Sequence, residues 1–435
     1  MYTIQRNLIK EIYFGNAFLK RGYEMKLSKR ITSVFLCLCI MMSFTVVGSA
    51  KNNEDPTSYP FVFVHGMMGW GENTESKMMK NNYWGFSEDN NVPEYLRSLG
   101  YEVCVPSVGA MSSAWDRACE LYAQLTGTVV DYGAAHSAEH HHARYGRDYT
   151  GRPIMEGGWN VKDKINLVSH SFGGPTVNIF TSVLEYGAQE EIEAAPEDCS
   201  EFFKGGHEGV VYSVSTLASP HNGSPLANLL YDTVIPVYLV CAFINIMNPS
   251  KLDFMMDQYG LNKDPVTGAK AKFSIKNIIS LATNDDHDGY DMTIKGAREL
   301  NAKYPPAKHT YYFSYSGDIT DENIFGGRRI SKENSNAIFK ITGSIIIACS
   351  GKYIGGEKLG KEWANNDGFV PVVSAQYPFG QPHDNYVEGM NVEKGVWYVM
   401  PTTEGGSHGY HVAGSQKTLY GFYDRMIEVI KNTAE

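Results

Sequence analysis

The amino-acid sequence predicts an α/β fold, with a mostly parallel central sheet flanked by helices. Three observations carry this expectation. Short runs rich in β-branched and aromatic residues alternate with stretches of helical spacing, the pattern of strands joined by crossover helices. One run, Ile165 to Val168, ends abruptly in Ser169-His170-Ser171-Phe172-Gly173-Gly174-Pro175 and passes into a helix-compatible stretch, Thr176 to Glu185. The 435 residues are 43% hydrophobic and 20% charged, ample for a sheet covered on both faces. No linker and no internal repeat is visible. Residues 51–435 therefore read as one domain with two large insertions, about 111–160 and 224–310.

Upstream of the fold, Met25 to Arg30 is basic, Ile31 to Val47 is apolar and Gly48-Ser49-Ala50 is small. That order predicts a secretory signal peptide over 25–50, preceded by an extension over 1–24, and hence an extracellular location. A membrane anchor is the alternative, because the apolar run approaches spanning length.

Phe61 to Val64 predicts the first strand, Pro93 to Leu99 a short helix, Tyr101 to Val108 the next strand and Ala114 to Leu125 a helix. A polar, histidine-rich excursion follows from Val129 to Gly158. Val210 to Leu217 and Tyr311 to Tyr315 predict further strands, Ile341 to Cys349 a helix, Val396 to Met400 the last strand and Leu419 to Ile430 a closing amphipathic helix. Ser224 to Met247 is nearly filled with large apolar residues and broken by Pro236. We read it as a lid over an apolar site, a buried helix pair being the alternative. The five cysteines beyond residue 50 have no framework spacing, so no essential disulfide is expected. A net charge of −10 argues against a nucleic-acid partner.

Strand, sharp turn, helix is the setting in which a serine hydroxyl is pushed out above a sheet edge. Ser171 is thus the candidate nucleophile, with small residues two before (Ser169) and two after (Gly173). A serine needs a base and the base needs an orienting carboxylate. In folds with such an elbow the order along the chain is Ser, acid, His. His408 follows the last strand in a glycine-rich loop and is the expected base, with His411 as runner-up. Asp318 and Asp367 both follow late strands, and position does not separate them. The developing oxyanion wants two backbone N–H donors: Phe172, directly after the nucleophile, and Met67, in the loop after the first strand. Asp116, Asp131, His136, His140, His141 and His142 cluster in sequence and suit a zinc ion, or else form a solvated polar loop.

The segments Phe63-Val64-His65-Gly66, Trp115-Asp116-Arg117-Ala118, Val130-Asp131-Tyr132-Gly133-Ala134-Ala135-His136, His142-Ala143-Arg144-Tyr145-Gly146, Ser169-His170-Ser171, Pro220-His221-Asn222-Gly223, Asp253-Phe254-Met255-Met256-Asp257-Gln258 and Asn366-Asp367-Gly368 are recognisable together. From about Tyr59 onward the chain resembles secreted bacterial triacylglycerol lipases of the staphylococcal and thermophilic-bacillus group. The resemblance implies an α/β-hydrolase fold, a serine esterase mechanism and a structural zinc near the lid. By position it implies Ser171, Asp367 and His408 as the triad, Met67 and Phe172 as oxyanion donors, and Asp116, His136, His142 and Asp257 as zinc ligands. Such lipases often bind calcium just after the catalytic histidine. Here those places hold Tyr410 and about Ser415, which are not carboxylates, so calcium is not expected there; Asp318 and Asp321 could supply another site.

The expected function is therefore a secreted lipase that cleaves fatty-acyl esters at a lipid–water interface, with no protein partner. Phospholipase or short-chain carboxylesterase activity on the same scaffold is the alternative. A zinc-dependent hydrolase and an inactive surface-binding protein stand behind it.

Overall fold

A computed structural model describes residues 59–74, 81–86, 90–231, 253, 255–260, 284–333 and 336–433. The expected signal peptide and most of the expected lid lie outside the described residues.

The strands of the main sheet are β1 (Phe61–Val64), β2 (Val103–Cys104), β3 (Ile165–His170), β4 (Val211–Leu217), β5 (Tyr311–Tyr315), β6 (His383–Asn385) and β7 (Trp397–Val399). They run side by side in the order β6-β7-β5-β4-β3-β1-β2, and every neighbouring pair is parallel. The central strands are buried along their whole length, because helices cover both faces. Alternation sorts their side chains: Val62, Val64 and Leu167 enter one core, Phe61, Phe63 and Val168 the other.

The helices are α1 (Val92–Ser98), α2 (Ala114–Thr126), α3 (Gly173–Tyr186), α4 (Ile294–Lys303), α5 (Ala337–Cys349) and α6 (Gln416–Lys431), among shorter turns. Side chains at the N-caps fix where several begin: Asn91 for α1, Ser113 for α2 and Ser415 for α6 each accept a backbone N–H from the first turn. Gly127, in the left-handed region, ends α2. On one face α2 and α3 pack together; α1 and α6 cover the other.

Two details depart from the expectation. The Tyr101–Val108 run is a strand only at Val103–Cys104. The polar excursion is ordered: Val129–Asp131 pairs antiparallel with Tyr145–Asp148, and the short helix Ala134–Glu139 lies between them. The described cysteines Cys104, Cys119, Cys199 and Cys349 are all unpaired. No described helix is long and apolar enough to cross a membrane.

From β1 the chain passes to β2 on one side and then returns to lay β3 on the other side of β1. The carboxyl ends of β1 and β3 are thus the switch point of an open α/β sheet, where a crevice forms. The loop starting at His65 leaves one, and the turn at Ser171 leaves the other.

Candidate active site and metal centre

Ser171 has φ of 55°, in the left-handed region that a serine rarely adopts. Neighbouring contacts hold it there: its N–H donates to Leu217 O at 2.9 Å, and its carbonyl accepts from Gly174 N–H at 3.0 Å. Glycine is obligatory at Gly173, where a Cβ would lie 2.4 Å from Val64 O. The helix could not otherwise start so close to β1.

His408 places Nε2 3.0 Å from Ser171 Oγ, and its Nδ1–H donates to Asp367 Oδ2 at 2.8 Å. The other carboxylate oxygen of Asp367 accepts the N–H groups of Phe369 and Val370, both at 2.8 Å, which fixes its orientation. Asp367 O also accepts the His408 N–H, so the loops carrying the two residues are tied together. The two alternatives have other surroundings: Asp318 accepts from Thr320 and Asn365, and the His411 ring is buried with neither nitrogen hydrogen-bonded among the described residues.

Behind Ser171, His170 is buried between two loops. Its Nε2 is 2.8 Å from His408 O and its Nδ1 2.6 Å from the Tyr83 hydroxyl. A carbonyl only accepts, so Nε2 carries the proton and Tyr83 donates to Nδ1. Burial, with the neighbouring His408, holds His170 well below the usual imidazole range, which matches this neutral form. Tyr83 Oη in turn accepts from Gly66 N–H at 3.1 Å.

The loop after β1 lies against Ser171: a Cβ on Gly66 would sit 2.7 Å from Ser171 Cβ. Met68 N–H donates to Ala110 O at 2.7 Å. The N–H groups of Met67 and Phe172 find no acceptor among the described residues. Beneath this loop the side chain of Arg117, fully buried in α2, donates to backbone carbonyls. Burial lowers its guanidinium to about 10, so it remains a cation at neutral pH.

The histidine-rich insertion brings a second constellation together. Ligand-type atoms of Asp116, His136, His142 and Asp286 all lie within 4.8 Å of one another. His136 Nε2 is 3.2 Å from Asp116 Oδ1 and from Asp286 Oδ1; His142 Nε2 is 3.3 Å from Asp286 Oδ2 and 3.9 Å from Asp116 Oδ1. A tetrahedral ion with bonds of about 2.0–2.1 Å requires ligand–ligand edges of about 3.3 Å. Asp116 Oδ1 and both imidazole Nε2 atoms are buried without a hydrogen-bond partner in this arrangement. His142 Nδ1–H donates to Ala143 O at 2.9 Å, turning the Nε2 lone pair inward, and Gln258 Nε2–H donates to Asp116 Oδ2 at 2.7 Å. These residues fit a metal ion.

One expected ligand is corrected. Asp257 does not join the cluster; it pairs with the Arg147 guanidinium, which also takes Asp253 at 2.7 Å. Asp286 stands in its place. The cue for it was the ligand-rich run Asn284-Asp285-Asp286-His287-Asp288, which sequence reasoning passed over. The substitutes considered for calcium are otherwise engaged: Asp318 as above, and Asp321 faces Arg329 at 3.8 Å.

Parallel sheet, a strained serine turn at the switch point and a Ser–His–Asp chain of hydrogen bonds together define the α/β-hydrolase class. A family model described as "Lipase-like, C-terminal domain" matches residues 57–427, and the chain belongs to that family. It is 34% identical over 366 residues to a lipase of Staphylococcus epidermidis, an alignment covering 83% of this chain and 51% of that one. The chain thus spans about half the length of the curated relatives it matches. Among solved structures, Staphylococcus hyicus lipase aligns with a TM-score of 0.75 at 30% identity, covering 88% of this chain and 98% of that one. EstA from Clostridium botulinum aligns with a TM-score of 0.70 at 31% identity, covering 88% and 91%.

Proposed function

We propose that the protein is a secreted serine-dependent carboxylic ester hydrolase, a lipase acting on fatty-acyl esters such as triacylglycerols. The observation that carries this reading is the 3.0 Å approach of His408 Nε2 to the Ser171 hydroxyl, with Asp367 on the far side of the ring. His408 takes the Ser171 proton as Oγ attacks the ester carbonyl. The N–H groups of Met67 and Phe172 receive the oxyanion. His408 then protonates the departing alcohol, leaving an acyl group on Ser171. Water, activated by the same imidazole, releases the fatty acid. Family membership and the similarity to staphylococcal lipases support the substrate class.

Zinc is the ion proposed for Asp116, His136, His142 and Asp286, two imidazoles and two carboxylates suiting it. Four protein ligands leave no open position, so it acts as a crosslink and not as a reactant. The signal peptide over 25–50 and a hydrolase unit over 51–435 belong to the same reading.

The test combines labelling and turnover. A fluorophosphonate should modify Ser171 in the purified full chain, and Ser171→Ala should abolish both labelling and hydrolysis of nitrophenyl butyrate while keeping the melting temperature. Retained turnover in Ser171→Ala would refute the reading. Comparing triglyceride, phospholipid and short-ester rates then sets the substrate class.

A further inference from the structure

We infer that Arg117 is a positioning residue for the oxyanion-binding backbone: its guanidinium holds both segments that supply the N–H donors. This rests on the hydrolase reading above and deepens it. Nothing in the mechanism so far uses this side chain, although it is a fully buried cation in the first turn of α2.

All of its hydrogen bonds go to one small region. Nη2 donates to His65 O; Nη1 donates to Gly109 O at 2.9 Å and, at 3.4 Å, to Gly66 O; Nε donates to Thr176 Oγ1 at 2.9 Å. The Thr176 hydroxyl donates in turn to Phe172 O at 3.2 Å. The guanidinium also lies over the Phe172 ring, 5.2 Å from its centre. Three carbonyls and a hydroxyl accept from it, and the Asp288 and Glu120 carboxylates add a longer-range attraction. A buried charge compensated by backbone dipoles fixes the direction of those dipoles.

That direction has a consequence at the site. In a trans peptide unit, C=O and the following N–H point to opposite sides. Drawing His65 C=O inward turns the Gly66 N–H outward, and it does meet the Tyr83 hydroxyl on the opposite side at 3.1 Å. Drawing Gly66 C=O inward, with help from His65 Nδ1–H at 2.8 Å, turns the Met67 N–H to the opposite side, the side we assign to the oxyanion. On the other segment, Thr176 and the ring contact hold Phe172, whose N–H is the second donor. One side chain thus sets both donors before substrate arrives, which is what preorganised oxyanion binding requires.

The test uses the full chain with Arg117→Lys, which keeps the charge but cannot span the four acceptors, and Arg117→Met. Wild type and variants are compared on nitrophenyl butyrate and with a trifluoromethyl ketone, whose hydrate-like adduct on Ser171 carries the same oxyanion. We expect kcat to fall about 100-fold, as for loss of one oxyanion donor, with KM within about threefold. Ketone affinity should fall in proportion to kcat. A folded Arg117→Lys with kcat within twofold of wild type overturns the inference, as does a lost kcat with unchanged ketone affinity. If both Arg117 variants fail to fold, Thr176→Val decides: a parallel loss in kcat and ketone affinity supports it, and unchanged values overturn it. A wild-type chain inert to ester and ketone alike would sink the hydrolase reading itself, and this inference with it; a competent wild type with an unaffected Arg117→Lys sinks the inference alone.

Discussion

Two aspartates looked equivalent along the chain, and three dimensions separate them. Asp367 faces His408 Nδ1, whereas both oxygens of Asp318 are engaged by Thr320 and Asn365. Asp367→Asn should therefore lower kcat by about 10⁴ on nitrophenyl esters, and Asp318→Asn should leave it within an order of magnitude. Steady-state rates at one pH distinguish the two. Buried histidines make a second prediction. Burial lowers His65, His221 and His411 each to about 3, from an ordinary value near 6.5. Between pH 6.5 and 3 the unfolded chain binds protons that the folded chain does not, so stability falls as pH drops through that window. Each group should remove roughly 2 kcal/mol by pH 5, on an order-of-magnitude linkage argument. Melting temperatures between pH 7.5 and 5 check this, and His221→Asn should flatten the slope.

Strands and helices matter to the site chiefly through how closely they meet. A Cβ on Gly66 would press on Ser171 Cβ at 2.7 Å and on His170 O and the Tyr83 hydroxyl at 3.0 Å. Gly66→Ala should shift the donor loop and reduce kcat by about 10²-fold, with a loss of stability near 1–3 kcal/mol from overpacking. Rates and urea midpoints measured together would separate the two effects; normal kcat would mean that the loop tolerates the extra carbon. The shortened second strand has a comparable local cause. Past Cys104 the backbone bonds to loops instead of a strand: Val105 O accepts from Glu72, Ser107 N–H donates to Asn73, and Val108 N–H donates to His65. The apolar run Tyr101–Val108 recorded burial correctly but could not show which partner its peptide groups would find.

Across the whole molecule, the cluster that fits a metal ion joins distant segments: Asp116 from α2, His136 and His142 from the histidine-rich insertion, and Asp286 from the polar region before α4. Binding the folded state alone, an ion present at about 1,000 times its Kd would add roughly 4 kcal/mol. Chelation should lower the melting temperature without touching the triad. Asp286→Asn should lose metal on elemental analysis, while Asp257→Asn should keep it and lose stability through the broken Arg147 pair. Metal retained in Asp286→Asn would return the fourth position to another residue.

The parallel α/β architecture, the turn at Ser171 and the place of His408 after the last strand were legible in the chain alone. These are written in local periodicity, turn chemistry and chain order, which neighbouring residues settle among themselves. Chain position left Asp318 beside Asp367 and the resemblance favoured Asp367; folding brings Asp367 to His408, and it sets Asp286, not the expected Asp257, against His136 and His142. Carboxylates of equal chemistry are told apart by which cation or imidazole the folded backbone carries to them: Arg147 takes Asp257, and the residue left facing the two imidazoles is Asp286.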